Sequence, residues 1–440
     1  MAGKKTQAQL TPEEKLQQAL VPEAEQPYKV PANWCWTYLK NVSDCLDNFR
    51  KPINANERNA RLGDVPYYGA TGQVGWIDDY LTNEELVLLG EDGAPFLDLL
   101  KNKAYLINGK AWVNNHAHIL RSKFGTMGNR LLIEYLNSFD FTGFVTGTTR
   151  LKLTQASMNK IIIPLVPLAE QQRIVERIES LFAKLDEAKE NMQNVLEGFE
   201  TRKAAILHKA FSGELTANWR KQHGVTMDSW EEKRLGSCGS LQRGRSKHRP
   251  RNDSRLFGEK YPFIQTGDVA NAEMYIINHS KMLSDFGLQQ SKLFPKGTLC
   301  ITIAANIGKV GILTYDCCFP DSVVGFLPNN ENICEFIYYK LTTLQKELEE
   351  LAPATAQKNI NLKLLNDLKI NMPILDEQTE IVRIIDDLLA KEQQAKELAE
   401  NALAKIDLIK KSILARAFRG ELGTNNPADE PAVELLKQVL

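Results

Sequence analysis

Five positive side chains crowd nine residues of this 440-residue chain: Arg243, Arg245, Lys247, Arg249 and Arg251, with no acid among them. A guanidinium can hold the O6 and N7 edge of a guanine with two hydrogen bonds, and a lysine ammonium suits a phosphate. The same run also reads as a charged, solvated loop. Gln265, Thr266 and Asp268 carry the amide, hydroxyl and carboxylate that complement base edges. Earlier in the chain, Arg50, Lys51, Arg58 and Arg61 form a thinner basic set, diluted by Glu57 and Asp64. Tyr67, Tyr68, Thr71 and Gln73 follow it as candidate base or sugar contacts.

Other constellations point to chemistry less clearly. On a strand, His116 and His118 would share a face and could converge on one ion. No Cys, Asp or third His is close in sequence. A polar cluster or a structural pair is therefore the plainer reading, and no metal is expected. Glu91 and Asp92, between Gly90 and Gly93, read as a turn whose carboxylates cap backbone amides. On a DNA-contacting surface they would instead accept from cytosine amino groups. The Asp/Asn/Ser-Pro-Pro-Tyr/Phe signature of an amino-methyltransferase is missing, and no acidic pair with a following Glu-x-Lys suggests a nuclease. Gly69, Gly72 and Gly75 precede no helical pattern. Gly308-Lys309 lacks the upstream glycine and following Ser/Thr of a phosphate loop. We expect a chain that catalyses nothing alone and binds no cofactor.

Composition narrows the class. Lys and Arg number 54 against 55 Asp and Glu, a net charge of −1. Taken as a sum, that argues mildly against nucleic acid, but the distribution is uneven. Residues 375–440 hold thirteen acids and nine bases, whereas the loop at 243–251 is purely basic. The seven cysteines are scattered, without a Cys-x-x-Cys pair, and read as reduced thiols. No apolar run reaches the roughly 18 residues of a membrane span, and the N-terminus lacks a signal peptide's apolar core. A cytoplasmic protein is expected.

The elements that must position these groups emerge from an internal repeat. Residues 168–215 align without a gap with 375–422, and 22 of 48 positions are identical. Both copies carry Leu-x-Glu-Gln near the start (Leu168, Glu170, Gln171; Leu375, Glu377, Gln378) and Ala-Phe-x-Gly-Glu-Leu at the end. In the first copy Ile174, Ile178, Leu181, Leu185, Ala188, Met192, Val195 and Phe199 recur at steps of four and three, a coiled-coil seam. The second seam is thinner: Ile381, Ile385, Leu388, Glu392, Ala395, Ala399, Ala402 and Ile406. Gly213 and Gly420 stand where helix C-terminal caps belong. About 44 helical residues would span roughly 66 Å. Phe182, Leu196, Leu389 and Leu403 lie beside the seams, more apolar surface than two helices cover easily.

The segments before the helices match in size and opening, Trp34-x-x-x-x-Leu39 and Trp230-x-x-x-x-Leu235, and then diverge. Each reads as a mixed α/β (α+β) globule of short strands. The expected plan is an N-terminal helical segment (1–30, with a helix near 12–20), a first head (31–163), a first helix (164–216), a second head (226–370), a second helix (371–424) and a tail (425–440). A pseudo-twofold duplication pairs the two helices antiparallel.

Pro-Leu-Ala-Glu-Gln-Gln-Arg-Ile-Val (167–175), Ala-Phe-Ser-Gly-Glu-Leu-Thr (210–216) and Ala-Phe-Arg-Gly-Glu-Leu (417–422) resemble the shared helical regions of type I restriction-modification specificity subunits. Residues 294–311, Phe-Pro-Lys-Gly-Thr-Leu-Cys-Ile-Thr-Ile-Ala-Ala-Asn-Ile-Gly-Lys-Val-Gly, resemble a stretch common in their target-recognition domains. The resemblance covers essentially the whole chain, in the order head, helix, head, helix. Residues 371–374, Asn-Met-Pro-Ile, are less proline-rich than the matching 164–167. The resemblance implies that each head reads one half of a split, asymmetric double-stranded DNA target. The paired helices would hold the halves at fixed spacing and dock two methyltransferase subunits, and motor-nuclease subunits would join for restriction. S-adenosylmethionine, ATP and Mg would then belong to those partners. Two rival readings are a self-sufficient methyltransferase, for which the chain has no room, and a coiled-coil adaptor without DNA binding.

Overall fold

The computed structural model describes residues 10–350 and 359–440. Residues 1–9 of the expected N-terminal segment and 351–358 of the second head lie outside the described residues. The chain divides into two compact units, 1–193 with 400–440, and 194–399. The division cuts across the linear plan. Each unit combines one head with the beginning of the helix that follows it and the end of the other helix.

In the first unit, a four-stranded antiparallel sheet runs in the order Ser43–Cys45, Ala117–Ser122, Leu86–Gly90, Ala104–Ile107. The Leu86–Gly90 strand is buried on both faces and reads as a continuous apolar run, the pattern of a covered strand. The helix Gly125–Ser138 covers this sheet with Leu131, Leu132, Tyr135 and Leu136. A second sheet is mixed: Val65–Gly69 pairs antiparallel with Gly72–Ile77 and parallel with Lys110–Val113. The expected N-terminal helix spans Pro12–Ala19, with Thr11 and Glu14 forming a capping box. It packs in the same core as the tail helix Ala432–Val439.

The second unit repeats the plan with different residues. Its five-stranded sheet runs Gly239–Arg243, Val323–Pro328, Leu299–Thr302, Val310–Leu313, Tyr275–Ile276. Phe257–Phe263 pairs antiparallel with Lys281–Leu283 and parallel with Cys317–Cys318, as Val65–Gly69 does with its neighbours. Apart from Tyr275–Ile276, a fifth strand that pairs parallel and has no counterpart in the first head, sheet order and strand direction match between heads whose sequences have diverged.

The repeated motif explains how a head is fixed to its helix. Trp34 donates its indole N–H to Glu170 (2.7 Å), and Trp230 does the same to Glu377 (3.0 Å). Gln171 donates to the Val166 carbonyl and Gln378 to that of Pro373 (3.0 and 2.9 Å). All four helix side chains are buried, so each needs these partners. The two carboxylates are satisfied differently. Glu377 faces buried Arg220 (2.5 Å) and Thr216 (2.7 Å), whereas Glu170 accepts from Thr424 and Asn425 (3.2 and 2.8 Å).

The seams pair the helices as expected, but their first layers are buried and cannot serve subunit docking. Ile174 and Ile178 are buried in the first head's core, and Ile381 and Ile385 in the second's. These four pack both on the heads and on the end of the other helix, Leu414 and Ala417 in the first core and Leu207 and Ala210 in the second, so they are not open to another subunit. Leu181, Phe182, Leu185, Leu196, Leu388, Leu389 and Leu403 are half-buried. Within each unit the helices run antiparallel: Asp186 pairs with Lys410 (2.6 Å) in the first, Arg202 with Glu392 (2.7 Å) in the second. Arg202 thus answers the acid that interrupts the second seam. The first helix is also not continuous. It runs Leu168–Glu197 and resumes as Phe199–Phe211, with Gly198 between, while its repeat is one helix, Leu375–Ala417. The hydrogen bonds Gly198 N–H to Asn194 and Arg202 N–H to Gly198 persist (3.0 Å each), so the interruption is slight. Gly213 and Gly420 end their helices in the left-handed conformation (φ 78° and 74°), as expected of C-caps.

Candidate nucleic-acid interface

Each head opens a cleft where its mixed sheet ends. Two walls are equivalent by topology. One follows the strand that has both a parallel and an antiparallel neighbour: Gly69 to Thr71 in the first head, Gln265 to Asp268 in the second. The other is the link from the parallel partner into the larger sheet, contributing Asn114 and His116 in the first, Pro320 and Ser322 in the second. The remaining walls differ. In the first head they are Asp92 to Ala94 and Thr148 to Leu151, around about 680 Å³. In the second they include Arg245, Ser246, Arg251, Ser280, Lys281 and Gln290, around about 420 Å³.

The basic loop of the second head is presented as its sequence suggests. Arg243, Arg245, Lys247, Arg249 and Arg251 are all exposed. Backbone bonds pin it to the sheet: Arg245 N–H to Phe319 (3.0 Å) and Lys247 N–H to Gln290 (3.1 Å). Arg251 is held by both oxygens of Asp321 (3.0 and 3.2 Å), and Arg243 donates to the Asp321 carbonyl. Gln265 is exposed and Thr266 half-buried at the cleft. Asp268 has another task. Its carboxylate accepts from the Gln265 N–H (2.6 Å) and the Ser280 hydroxyl (2.8 Å), fixing the turn.

In the first head the candidates scatter. Thr71 and Gln73 are exposed at the hairpin, and Lys51 is exposed above the Trp112 ring. Arg61 stacks on Trp112 and pairs with Asp78 (2.7 Å), and Arg58 lies over Tyr67. Tyr68 is half-buried against Tyr105. Tyr67 is a correction: it is 1% exposed, and its hydroxyl bonds the Ile53 backbone. Aromatic residues on a strand alternate faces, and this one faces the core.

Arg50 is also corrected. It belongs to a closed network with Asp47 (3.0 Å), Glu91 and the Ala117 carbonyl. His118, buried, meets Asp47 (2.6 Å) and the Leu153 carbonyl (2.9 Å), and Lys152 meets Glu91 (3.2 Å). Burial works to raise the Asp47 carboxyl, but His118, the Ile119 amide and Arg50 together hold it below its usual range. Glu91 is lowered likewise against its burial, chiefly by Arg50. The carboxylates of Glu91 and Asp92 therefore make ion pairs, where a turn capping backbone amides was expected. His116 and His118 do not converge on one ion: only His118 lies in the strand Ala117–Ser122, while His116 meets Asp92 (3.4 Å) and Arg150 (3.3 Å) at the cleft. Cys45, Asp47 and His118 offer ligand atoms within 4.8 Å of one another. Burial pushes the Cys45 thiol up to about 11, and Arg50 already supplies positive charge beside both acids.

Arg150 was absent from the sequence-based candidates. It pairs with Asp92 (2.7 Å), far away in the chain, and no motif marks that meeting.

Both halves of the chain, residues 32–197 and 227–401, match the family model of the type I restriction modification DNA specificity domain. The chain belongs to this family of type I specificity subunits and carries two such domains. It is 28% identical over 357 residues to a putative type I restriction enzyme specificity subunit, S.HindORF215P, of Haemophilus influenzae, covering 80% of this chain and 86% of that one. It is also 28% identical to the EcoBI specificity subunit of Escherichia coli, over 63% of this chain and 62% of that protein's length. The fold is similar to the HsdS subunit from Thermoanaerobacter tengcongensis: TM-score 0.64, 19% identity, 90% of this chain and 100% of that one. Among the described residues, no helix is long and apolar enough to cross a membrane.

Proposed function

We propose that this chain is the non-catalytic DNA reader of a type I restriction-modification complex, each head taking one half of a split target into its cleft. The observation that carries this reading is the pair of topologically equivalent clefts with dissimilar walls, on two heads that share one architecture. A shared frame with divergent walls is what reading two different half-sites requires. In the second head the loop 243–251 supplies phosphate and base contacts, with Gln265 and Thr266 on the facing wall. In the first, Lys51, Arg58, Arg61, Thr71 and Gln73 have accessible polar groups. The helices dock two methyltransferase subunits, and motor-nuclease subunits join them. S-adenosylmethionine, ATP and Mg are held by those partners, and the complex works in the cytoplasm.

The test uses the chain assembled with its methyltransferase subunits. Changing Arg243, Arg245 and Arg249 together to alanine should weaken binding and flatten its salt dependence, by about 0.9 in the log–log slope for each phosphate no longer neutralised. An unchanged slope would mean that the loop is only solvated charge. Methyl transfer by the chain alone would overturn the non-catalytic assignment. Failure of the assembled complex to shift any duplex would favour an adaptor.

A further inference from the structure

We infer that one arginine in each cleft, Arg150 in the first head and Arg251 in the second, reads a guanine, and that Asp92 and Asp321 hold these arginines in reading position. The inference rests on the DNA-reading function proposed above and names the base class each cleft takes. Arg150 Nε lies 2.7 Å from Asp92, and its Nη2 is 3.3 Å from the His116 ring. Arg251 Nη2 bonds both oxygens of Asp321 at 3.0 and 3.2 Å. Both arginine side chains nevertheless stay more than half exposed, 59% and 55%. Nη1 of neither makes a hydrogen bond to a described residue. A guanidinium has five N–H donors, so one edge can be fixed by a carboxylate while others remain free.

Orientation is the reason that the pairing matters. A free arginine loses much rotamer freedom on taking up a bidentate geometry, and a flexible one serves a phosphate as well as a base. A carboxylate that fixes the fork beforehand removes that loss and aims two parallel donors. Two parallel donors match the O6 and N7 acceptors of guanine and no other base's major-groove edge. Arg245 and Lys247 lack such an acidic partner among the described residues and fit phosphate contacts. The first head has no basic run, yet it has this one braced arginine at its cleft, contributed by residues distant in sequence. Both heads thus place a carboxylate-braced arginine at the cleft, on walls that are not equivalent in topology. Asp92 and Asp321 act as positioning residues.

The experiment uses the complex assembled with methyltransferase subunits and the duplex bearing the motif that the wild-type complex methylates. Each guanine is replaced in turn by 7-deazaguanine, which lacks the N7 acceptor. For the wild type, one position in each half-site should weaken binding roughly tenfold to hundredfold. In Arg150→Ala the penalty at the first head's position should vanish while the other half-site's remains, and Arg251→Ala should do the reverse. Asp92→Asn keeps the arginine but should shrink the same penalty, an effect that a purely structural loss would not confine to one base. A half-site without guanine, or a penalty undiminished in Arg150→Ala, overturns the inference while leaving the DNA-reading function intact. A wild-type complex without sequence-selective binding overturns that function itself.

Discussion

Arg243, Arg245, Lys247 and Arg249 project from a loop whose backbone is tied down, so their charge remains outside. Arg50 has the same chemistry but lies near Asp47 and Glu91, which draw it inward. A carboxyl at the junction of head and helix offers a test of such burial effects. Glu134, on the helix Gly125–Ser138, is pushed up to about 7 by burial and by neighbouring Glu179, against the opposing charge of Lys410. The folded state therefore binds a proton there that the unfolded chain, with an ordinary carboxyl, releases near pH 4.5. This contribution to stability is fully present below pH 4.5 and is lost as the pH rises through about 7. Glu134→Gln should lack the loss, so its stability relative to the wild type should grow by about 2–3 kcal/mol between pH 4.5 and 8. Denaturant unfolding of both proteins across that range is the measurement. A constant difference would mean that Glu134 keeps an ordinary carboxyl.

At the scale of elements, the two helices connect the units. Each begins beside one head and ends in the unit of the other. If they set the distance between half-sites, lengthening both should lengthen the gap in the DNA target. Four residues inserted after Gly198 and four after its repeat partner Lys405 would add about 6 Å to each helix. At about 3.4 Å per base pair, the gap should grow by roughly one or two base pairs while the half-sites stay the same. Methylome sequencing of cells carrying the variant reads this directly. An unchanged gap with full activity would sink the ruler, and altered half-site bases would show that the heads are not independent readers.

For the whole molecule, the question is what the helices still expose. The side chains suspected from the seam, Phe182, Leu196, Leu389 and Leu403, are half-buried. More exposed are Leu168 (55%) and Leu375 (42%) at the helix starts, and further along the helix Leu375–Ala417, Leu398 (63%) in the second unit and Leu408 (55%) and Ile409 (43%) in the first. Methyltransferase helices packing there would complete a bundle. Expressed alone, the chain should self-associate, and co-expression with methyltransferase should restore a defined complex. Replacing Leu398, Leu408 and Ile409 by glutamate should make the lone chain better behaved and abolish co-purification. A monodisperse wild-type chain at high concentration counts against docking at these residues.

The duplication, the alternation of head and helix, the glycine caps and the exposed basic loop were all legible in the chain itself. Each depends on local periodicity or on identity between the two copies, which a linear sequence carries. The tertiary structure decided what depends on partners distant in sequence. It turned Tyr67 into the core and gave Arg50 to Asp47 and Glu91. It spent the first layers of both seams, Ile174 and Ile178, Ile381 and Ile385, on the heads and on the end of the other helix. It explained the shared Glu-Gln pair through Trp34 and Trp230, and it brought Asp92 to Arg150. A side chain's type states which bonds it can make. Only the fold determines which acceptors and donors come within about 3 Å of it, because burial forces every polar group to find a partner and leaves the rest free for a ligand.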